Sequence, residues 1–348
     1  MRWDNLTIAA DERTRLPGYR DVAVVRRFDA PEALATRFYE VRARSALNRV
    51  PASSRMPFRW TVNPYRGCSH ACCYCFARPT HRYLDFDAGR DFEREIVVKV
   101  NAPEVLRAEL ARSSWRGEHV AMGTNTDPYQ WVEGRYRLME GIWEALRDAG
   151  NPCSILTKSP LVLRDVTLLQ QIAEVADVSA CLSVPTLDEK AWRATEPHTP
   201  HPRARLEAVG ALNRAGIPCG ILVAPLMPGI NDDPAQVERI LELAAANGAT
   251  GAGGIALHLR GEVRGVFMDW LRAQRPDLVP RYERLYARGA YAPQAERERI
   301  AGVLDAARTK HPPRGTRAGA FRRNARSPAL DRRPAGMPVP AVRQEALF

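Results

Sequence analysis

Residues 63–76 read Asn63-Pro64-Tyr65-Arg66-Gly67-Cys68-Ser69-His70-Ala71-Cys72-Cys73-Tyr74-Cys75-Phe76, and the thiol spacing in this stretch decides how the rest of the chain is read. Cys68 and Cys72 are separated by three residues, Cys72 and Cys75 by two. Soft thiolates packed this closely select zinc or an iron–sulfur cluster. A structural zinc needs a fourth ligand, for which His70, Cys73 or His81 are the candidates. Zinc spacings, however, usually come as two separated pairs. Three cysteines on one loop instead leave one iron of a four-iron cluster without a protein ligand, open to substrate or cofactor. The remaining thiols, Cys153, Cys181 and Cys219, are scattered. A tight cluster with scattered singles in a chain of 348 residues reads as a metal site in a reducing, cytoplasmic compartment rather than a disulfide framework.

Outward from this loop, apolar runs alternate with helix-period segments. Leu138, Ile142, Ala145, Leu146 and Ala149 recur at helical spacing and stop at Gly150, and the strand-like Cys153–Thr157 follows. Leu206, Val209 and Leu212 lead in the same way to Gly216 and to Cys219–Val223. Asp232-Asp233-Pro234 caps a third helix, which ends at Gly248 before the run Gly253–Leu257. Six strands are expected near residues 58–64, 118–123, 153–157, 178–184, 219–225 and 253–258. The fold class is therefore α/β, with βα units around a parallel sheet. Such a sheet places its chemistry at the C-terminal strand ends. The notable polar residues lie there: the cysteine cluster, Thr124–Asp127, Lys158, Ser183, Asn231–Asp232, and His258 with Arg260. Six units make an incomplete barrel or an open sheet, and periodicity does not separate the two.

The Cys-x3-Cys-x2-Cys loop, with Tyr74 before its last cysteine, resembles the radical S-adenosylmethionine superfamily. The resemblance spans residues 58 to about 260. The rows Gly123–Gln130, Leu156–Ser159 and Pro225–Asp232 are similar to the spore photoproduct lyase-related, DNA-repair-photolyase-like branch. It implies a partial (βα)6 barrel in which Cys68, Cys72 and Cys75 hold a [4Fe-4S] cluster and the open iron takes the amine and carboxylate of S-adenosylmethionine. One electron would then cleave the cofactor to a 5′-deoxyadenosyl radical that abstracts hydrogen from substrate. A protein reductant such as flavodoxin or ferredoxin is implied as a partner. Cys73 falls where no ligand is expected and is read as a bystander. The superfamily contacts the methionyl group from the ends of strands 2 to 4. Thr124, Asn125 and Asp127 match the strand-2 position, although the usual Gly-Gly-Glu row is missing. Lys158 matches the strand-3 lysine and Ser183 a strand-4 serine. Tyr74 and Phe76 flank Cys75 and are candidates to pack on the cofactor, ordinary core packing being the alternative for Phe76.

Cys153 and Cys219, at strand starts, read as core residues. Cys181 shares a strand face with Ser183, where a thiol either donates hydrogen or packs. Spore photoproduct lyase has a donor cysteine at the end of strand 2, where this chain has Gly123-Thr124-Asn125.

Residues 1–55 are expected to pack on the barrel, with Leu34, Phe38 and Val41 marking a short helix. Residues 56–260 form the barrel and 261–308 a helical extension. In the extension Trp270, Tyr282, Tyr286 and Tyr291 interleave with Arg275, Arg281, Arg284 and Arg288. That pattern suits either a nucleic-acid groove or a packing helix. Residues 309–348 form an Arg- and Pro-rich tail. From 310 onward it holds nine basic and two acidic side chains, which account for +7 of the net +11. It buries too little apolar surface to order itself. Its last residues, Gln344-Glu345-Ala346-Leu347-Phe348, resemble peptides that dock on bacterial sliding clamps. DNA or RNA is the candidate substrate class, in a DNA-repair-like setting. No run is long enough to span a membrane. The reading from another class is a non-catalytic zinc or redox module that binds nucleic acid.

Overall fold

Twelve strands make up the two sheets of the computed structural model, which describes residues 8–28, 35–54 and 56–314. In chain order these are β1 (Ile8–Thr14), β2 (Ala23–Phe28), β3 (Arg37–Val41), β4 (Leu47–Arg49), β5 (Trp60–Val62), β6 (Tyr65–Arg66), β7 (Glu95–Lys99), β8 (Val120–Met122), β9 (Cys153–Thr157), β10 (Val178–Ser183), β11 (Cys219–Leu226) and β12 (Ala252–Ala256). The larger sheet has the order β12-β11-β10-β9-β8-β5-β4, and all neighbours from β5 to β12 are parallel. All six expected strands are present. Their sequential order, with helices between them, is that of a partial (βα)6 barrel.

The crossover helices form where periodicity and capping agree. Asp233 accepts a hydrogen bond from Gln236 N (2.9 Å) and Pro234 follows, so Pro234–Ala246 starts as expected. Trp143, Ile155, Leu182, Val209, Ile221 and Ile240 meet in one core between sheet and helices, which includes Cys153 and Cys219. These two thiols are structural.

The smaller sheet, β1-β2-β3-β7-β6, has no counterpart in the sequence reading. Phe38 and Val41 lie on β3 rather than on a helix, and Leu34 lies outside the described residues. Phe38 packs with Phe28, Tyr65 and Ile96 on one face. Tyr39 and Val41 pack with Leu16, Val25 and Val97 on the other. A strand buried on both faces has no polar alternation, so three apolar residues fell at helical spacing by coincidence.

The chain beyond β12 is helical, at Glu262–Gln274, Val279–Leu285 and Gln294–Lys310. Tyr282 and Tyr286 are buried and stack on each other (5.9 Å between ring centres), with Phe267 5.3 Å from Tyr282. Trp270 donates its indole N–H to Ala194 O (2.8 Å). These aromatics are packing residues, not an open groove, and their cluster includes Cys72, Cys73 and Tyr74. The extension is thus the wall behind the cysteine loop. The tail beyond residue 314, with the clamp-like Gln344–Phe348, lies outside the described residues. No helix among the described residues is long and apolar enough to cross a membrane.

Candidate active site at the cysteine loop

The cysteine loop leaves the short β6 at Gly67 and returns at Phe92, where Cys68 N donates to Phe92 O (2.9 Å). Gly67 has φ +81°, and a Cβ there would lie 2.8 Å from His81 Cε1 and 3.0 Å from Phe92 O. Only glycine fits this turn. Two side chains then brace the loop. Gln130, fully buried, accepts from Ser69 N (2.9 Å) and donates to Gly67 O (3.2 Å). Arg78, also buried, donates to Cys72 O (2.9 Å) and Gly89 O (2.7 Å) and pairs with Glu93. Neither residue was singled out as functional from sequence. Gln130 ends the row already recognised as distinctive, and Arg78 carries no signal of its own.

Cys68, Cys72 and Cys75 are free thiols, the first two buried and the third partly so. Burial, with Glu196 next, raises the Cys72 thiol above its ordinary value, and burial, with Cys68 next, takes Cys75 up to about 11. They stay protonated until a metal supplies the compensating charge. Among the described residues no three His, Cys, Asp or Glu side chains converge on a single metal position. Ligands of a polynuclear cluster need not converge, because each binds a different iron. Three free soft donors on one braced loop fit such a cluster. The backbone N–H of Cys73 donates to Thr195 O (3.1 Å), and its side chain, like that of Cys72, lies in the cluster formed with the extension.

The other selected residues fall into two groups. Lys158, Ser183 and Tyr74 come together around Glu196, a residue missed at the sequence level. Lys158 Nζ lies 3.1 Å from Glu196 Oε1, donates to Ser183 Oγ (2.7 Å), and sits 5.8 Å from the Tyr74 ring centre. The Tyr74 hydroxyl donates to Glu196, and Arg205 pairs with its other oxygen (2.8 Å). Burial works to raise the Glu196 carboxyl, but Arg205, Lys158 and the hydrogen bonds outweigh it and bring it down to about 2. Lys158 stays charged, its partners outweighing burial. Its ammonium has three donors, of which Glu196 and Ser183 take two. Cys181, on the inner face with Ser183, is buried close enough to feel Lys158 and is held up at about 12 chiefly by burial.

Asp127 is a structural joint. It accepts from Thr157 Oγ1 and Lys158 N (2.7 Å each), and His70 Nδ1 lies 3.4 Å away. Burial favours the acid form, yet His70 and these donors bring the carboxyl to about 2. Thr124 and Asn125 are half-buried at the end of β8, and their side chains make no hydrogen bond among the described residues. They follow Gly123, whose φ is +75° and whose Cβ would lie 1.7 Å from Leu156 O. Phe76 is 55% exposed, which corrects the core-packing alternative. Its ring centre lies 6.3 Å from that of His258, which in turn stacks on Tyr291 at 5.6 Å, itself 66% exposed.

A family model described as the radical SAM superfamily matches residues 62–244, more than half of the chain. The chain belongs to the radical SAM superfamily. This makes it an enzyme of the class that uses S-adenosylmethionine with an iron–sulfur cluster. Uncharacterized protein Rv2578c of Mycobacterium tuberculosis is 48% identical over 304 residues, covering 86% of this chain and 89% of the relative. Uncharacterized protein ORF301 of Acidianus two-tailed virus is 30% identical over 58% of this chain and 68% of its own. Among solved structures, spore photoproduct lyase complexed with dinucleoside spore photoproduct aligns with a TM-score of 0.59 at 16% identity, over 80% of both chains. At that identity the likeness establishes a shared fold with this radical SAM chain.

Proposed function

We propose that Cys68, Cys72 and Cys75 hold a [4Fe-4S] cluster, and that the methionyl group of S-adenosylmethionine binds between Thr124, Asn125, Lys158 and Ser183, with Tyr74 below it. The observation that carries this reading is the convergence at one end of the sheet. Three free thiols on a braced loop adjoin a lysine with a spare donor and two polar side chains that make no hydrogen bond among the described residues. When bound, the cluster and its cofactor supply one-electron cleavage of a sulfonium and hence hydrogen abstraction, with the electron coming from a protein reductant such as flavodoxin or ferredoxin.

The chain's own residues orient and exclude. Lys158 offers its third N–H to a carboxylate, Glu196 fixes that ammonium in place, and Asp127 ties the end of β9 to the cysteine loop. The buried extension keeps water from the loop's back.

The substrate class we assign is nucleic acid, in a repair-like role. Two observations support it: the fold shared with an enzyme solved with a dinucleoside photoproduct, and the exposed Phe76–His258–Tyr291 ring stack beside Cys75, which offers π-faces to a base. The end of β8 carries no thiol, so hydrogen return from that position is not available; Cys181 is the inward-facing alternative.

The test is anaerobic reconstitution. The parent chain should hold about four iron and four sulfide and convert S-adenosylmethionine to 5′-deoxyadenosine. Cys68→Ala, Cys72→Ala and Cys75→Ala should each lose cluster and cleavage, while Cys73→Ala keeps both. A colourless parent with one zinc, or loss in Cys73→Ala with retention in Cys72→Ala, overturns the assignment.

A further inference from the structure

A second polar site lies away from the thiols. A cavity of about 390 Å³ is lined by Arg20, Arg42, Arg44, Arg66, Lys99 and Asp21. Five are cations, drawn from the β1–β2 turn, the segment after β3, and the ends of β6 and β7. Among the described residues the other buried cations, Arg78 and Arg205, are paired, as is the largely buried Arg164. Here Arg20, Arg42, Arg44 and Lys99 have no ion pair among the described residues. Lys99 is only 7% exposed, and an unpaired ammonium at that depth is costly unless an anion reaches it. Burial and the neighbouring Arg66 push it down to about 7.

The nearby carboxylate that could have neutralised Lys99 is engaged elsewhere. Glu109 accepts from Ser45 Oγ (2.7 Å), Ala46 N (2.9 Å) and Leu47 N (2.8 Å). Asn101 accepts from Ala43 N (2.7 Å) and donates to Ala43 O (3.0 Å). The segment 42–47 is therefore tied down near its start and at its end. Arg42 and Arg44 stand exposed at its rim, on either side of the buried Ala43. A rigid backbone carrying unpaired guanidinium groups above a buried ammonium is pre-organised for a group with several anionic oxygens.

We infer that this cavity binds a phosphate group, with Lys99 at its floor and Arg42 and Arg44 closing over the oxygens. Two sources share that chemistry: a small phosphate compound, or a phosphodiester of a nucleic-acid strand. The inference does not rest on the cluster or its cofactor, because iron content and cofactor cleavage are measured separately.

The test uses the full chain with its cofactors and two probes, sodium pyrophosphate and a short single-stranded oligodeoxynucleotide, in isothermal titration and salt-dependent filter binding. Three variants are compared: Lys99→Met, the double substitution Arg42→Gln with Arg44→Gln, and Arg112→Gln, which removes an exposed charge outside the cavity. The exposed double variant covers the case in which Lys99→Met disturbs folding. Loss of pyrophosphate binding in the first two alone supports the site and assigns it to small phosphates. A fall of roughly tenfold or more in oligonucleotide affinity in the same two, with a salt slope shallower by about one per cation removed, supports it and assigns it to a strand. The inference is overturned if both pocket variants bind both probes as the parent does, or if Arg112→Gln weakens binding as much as they do.

Discussion

Two charged clusters in this enzyme are built on opposite plans. Around Glu196 every charge has a partner: Lys158, Arg205 and Tyr74 converge on one carboxylate that is fully buried. Around Lys99 five cations line a cavity, and four of them, Arg20, Arg42, Arg44 and Lys99 itself, have no ion pair among the described residues. The first arrangement sets two cations on one carboxylate, a sum of one positive charge held in fixed geometry, and leaves Lys158 a donor for a ligand carboxylate. The second holds uncompensated positive charge, which suits an anion. Pairing therefore separates a positioning network from a capture site, although both are made of the same residue types.

The largest effect that would break this contrast comes from Glu196→Ala. It leaves Arg205 and Lys158 buried without their anion, and removal of one partner from such a pair costs about 3–5 kcal/mol. Urea unfolding should show that loss, and a change under about 1 kcal/mol would mean that the network is not the paired core described. A smaller effect is expected from Lys158→Ala. Losing a charge-assisted hydrogen bond should weaken S-adenosylmethionine binding by about tenfold or more while iron content stays at the parent's value. Equal affinity in parent and variant would remove Lys158 from the binding site.

A third effect, read from pH dependence, sharpens the other side. The folded pKa of Lys99, about 7, lies below its ordinary value of 10.5. Between those two values the unfolded chain binds more protons than the folded one, so this residue makes stability rise as pH increases from about 7 to 10.5 and contributes no slope outside that window. Lys99→Met should flatten the rise, seen as melting temperatures that converge at high pH. Added pyrophosphate should oppose it in the parent alone.

The cysteine loop and the six parallel strands were legible because their signals are local: thiol spacing within one loop, and apolar runs that end in polar residues. Glu196 was not. It lies more than a hundred residues from Tyr74 in an irregular segment, and nothing nearby marks a carboxylate destined for burial. The Lys99 cavity was invisible for a related reason. Arg20, Arg42 and Lys99 meet only because β3 pairs in parallel with β7 across the whole cysteine loop, in a sheet whose two buried faces erase the alternation that would reveal it. Asp127 shows a third limit: its position was recognised, but it braces the backbone of Lys158 while Thr124 and Asn125 keep their hydrogen-bonding capacity open.

The β6–β7 ladder pairs Tyr65 with Val98 and Arg66 with Val97, so it joins the two ends of the segment that contains the whole Cys-x3-Cys-x2-Cys motif. Loop-closure entropy is thereby met by backbone pairing, and the inner braces from Gln130 and Arg78 add to it. In small metal-dependent domains the ion itself closes the loop and is needed for folding. Here backbone pairing closes the ring without calling on an ion, so iron would enter a scaffold already shaped. Assembly machinery would therefore meet a folded client, and loss of iron to oxygen would leave a chain that can be reloaded rather than one that must be degraded.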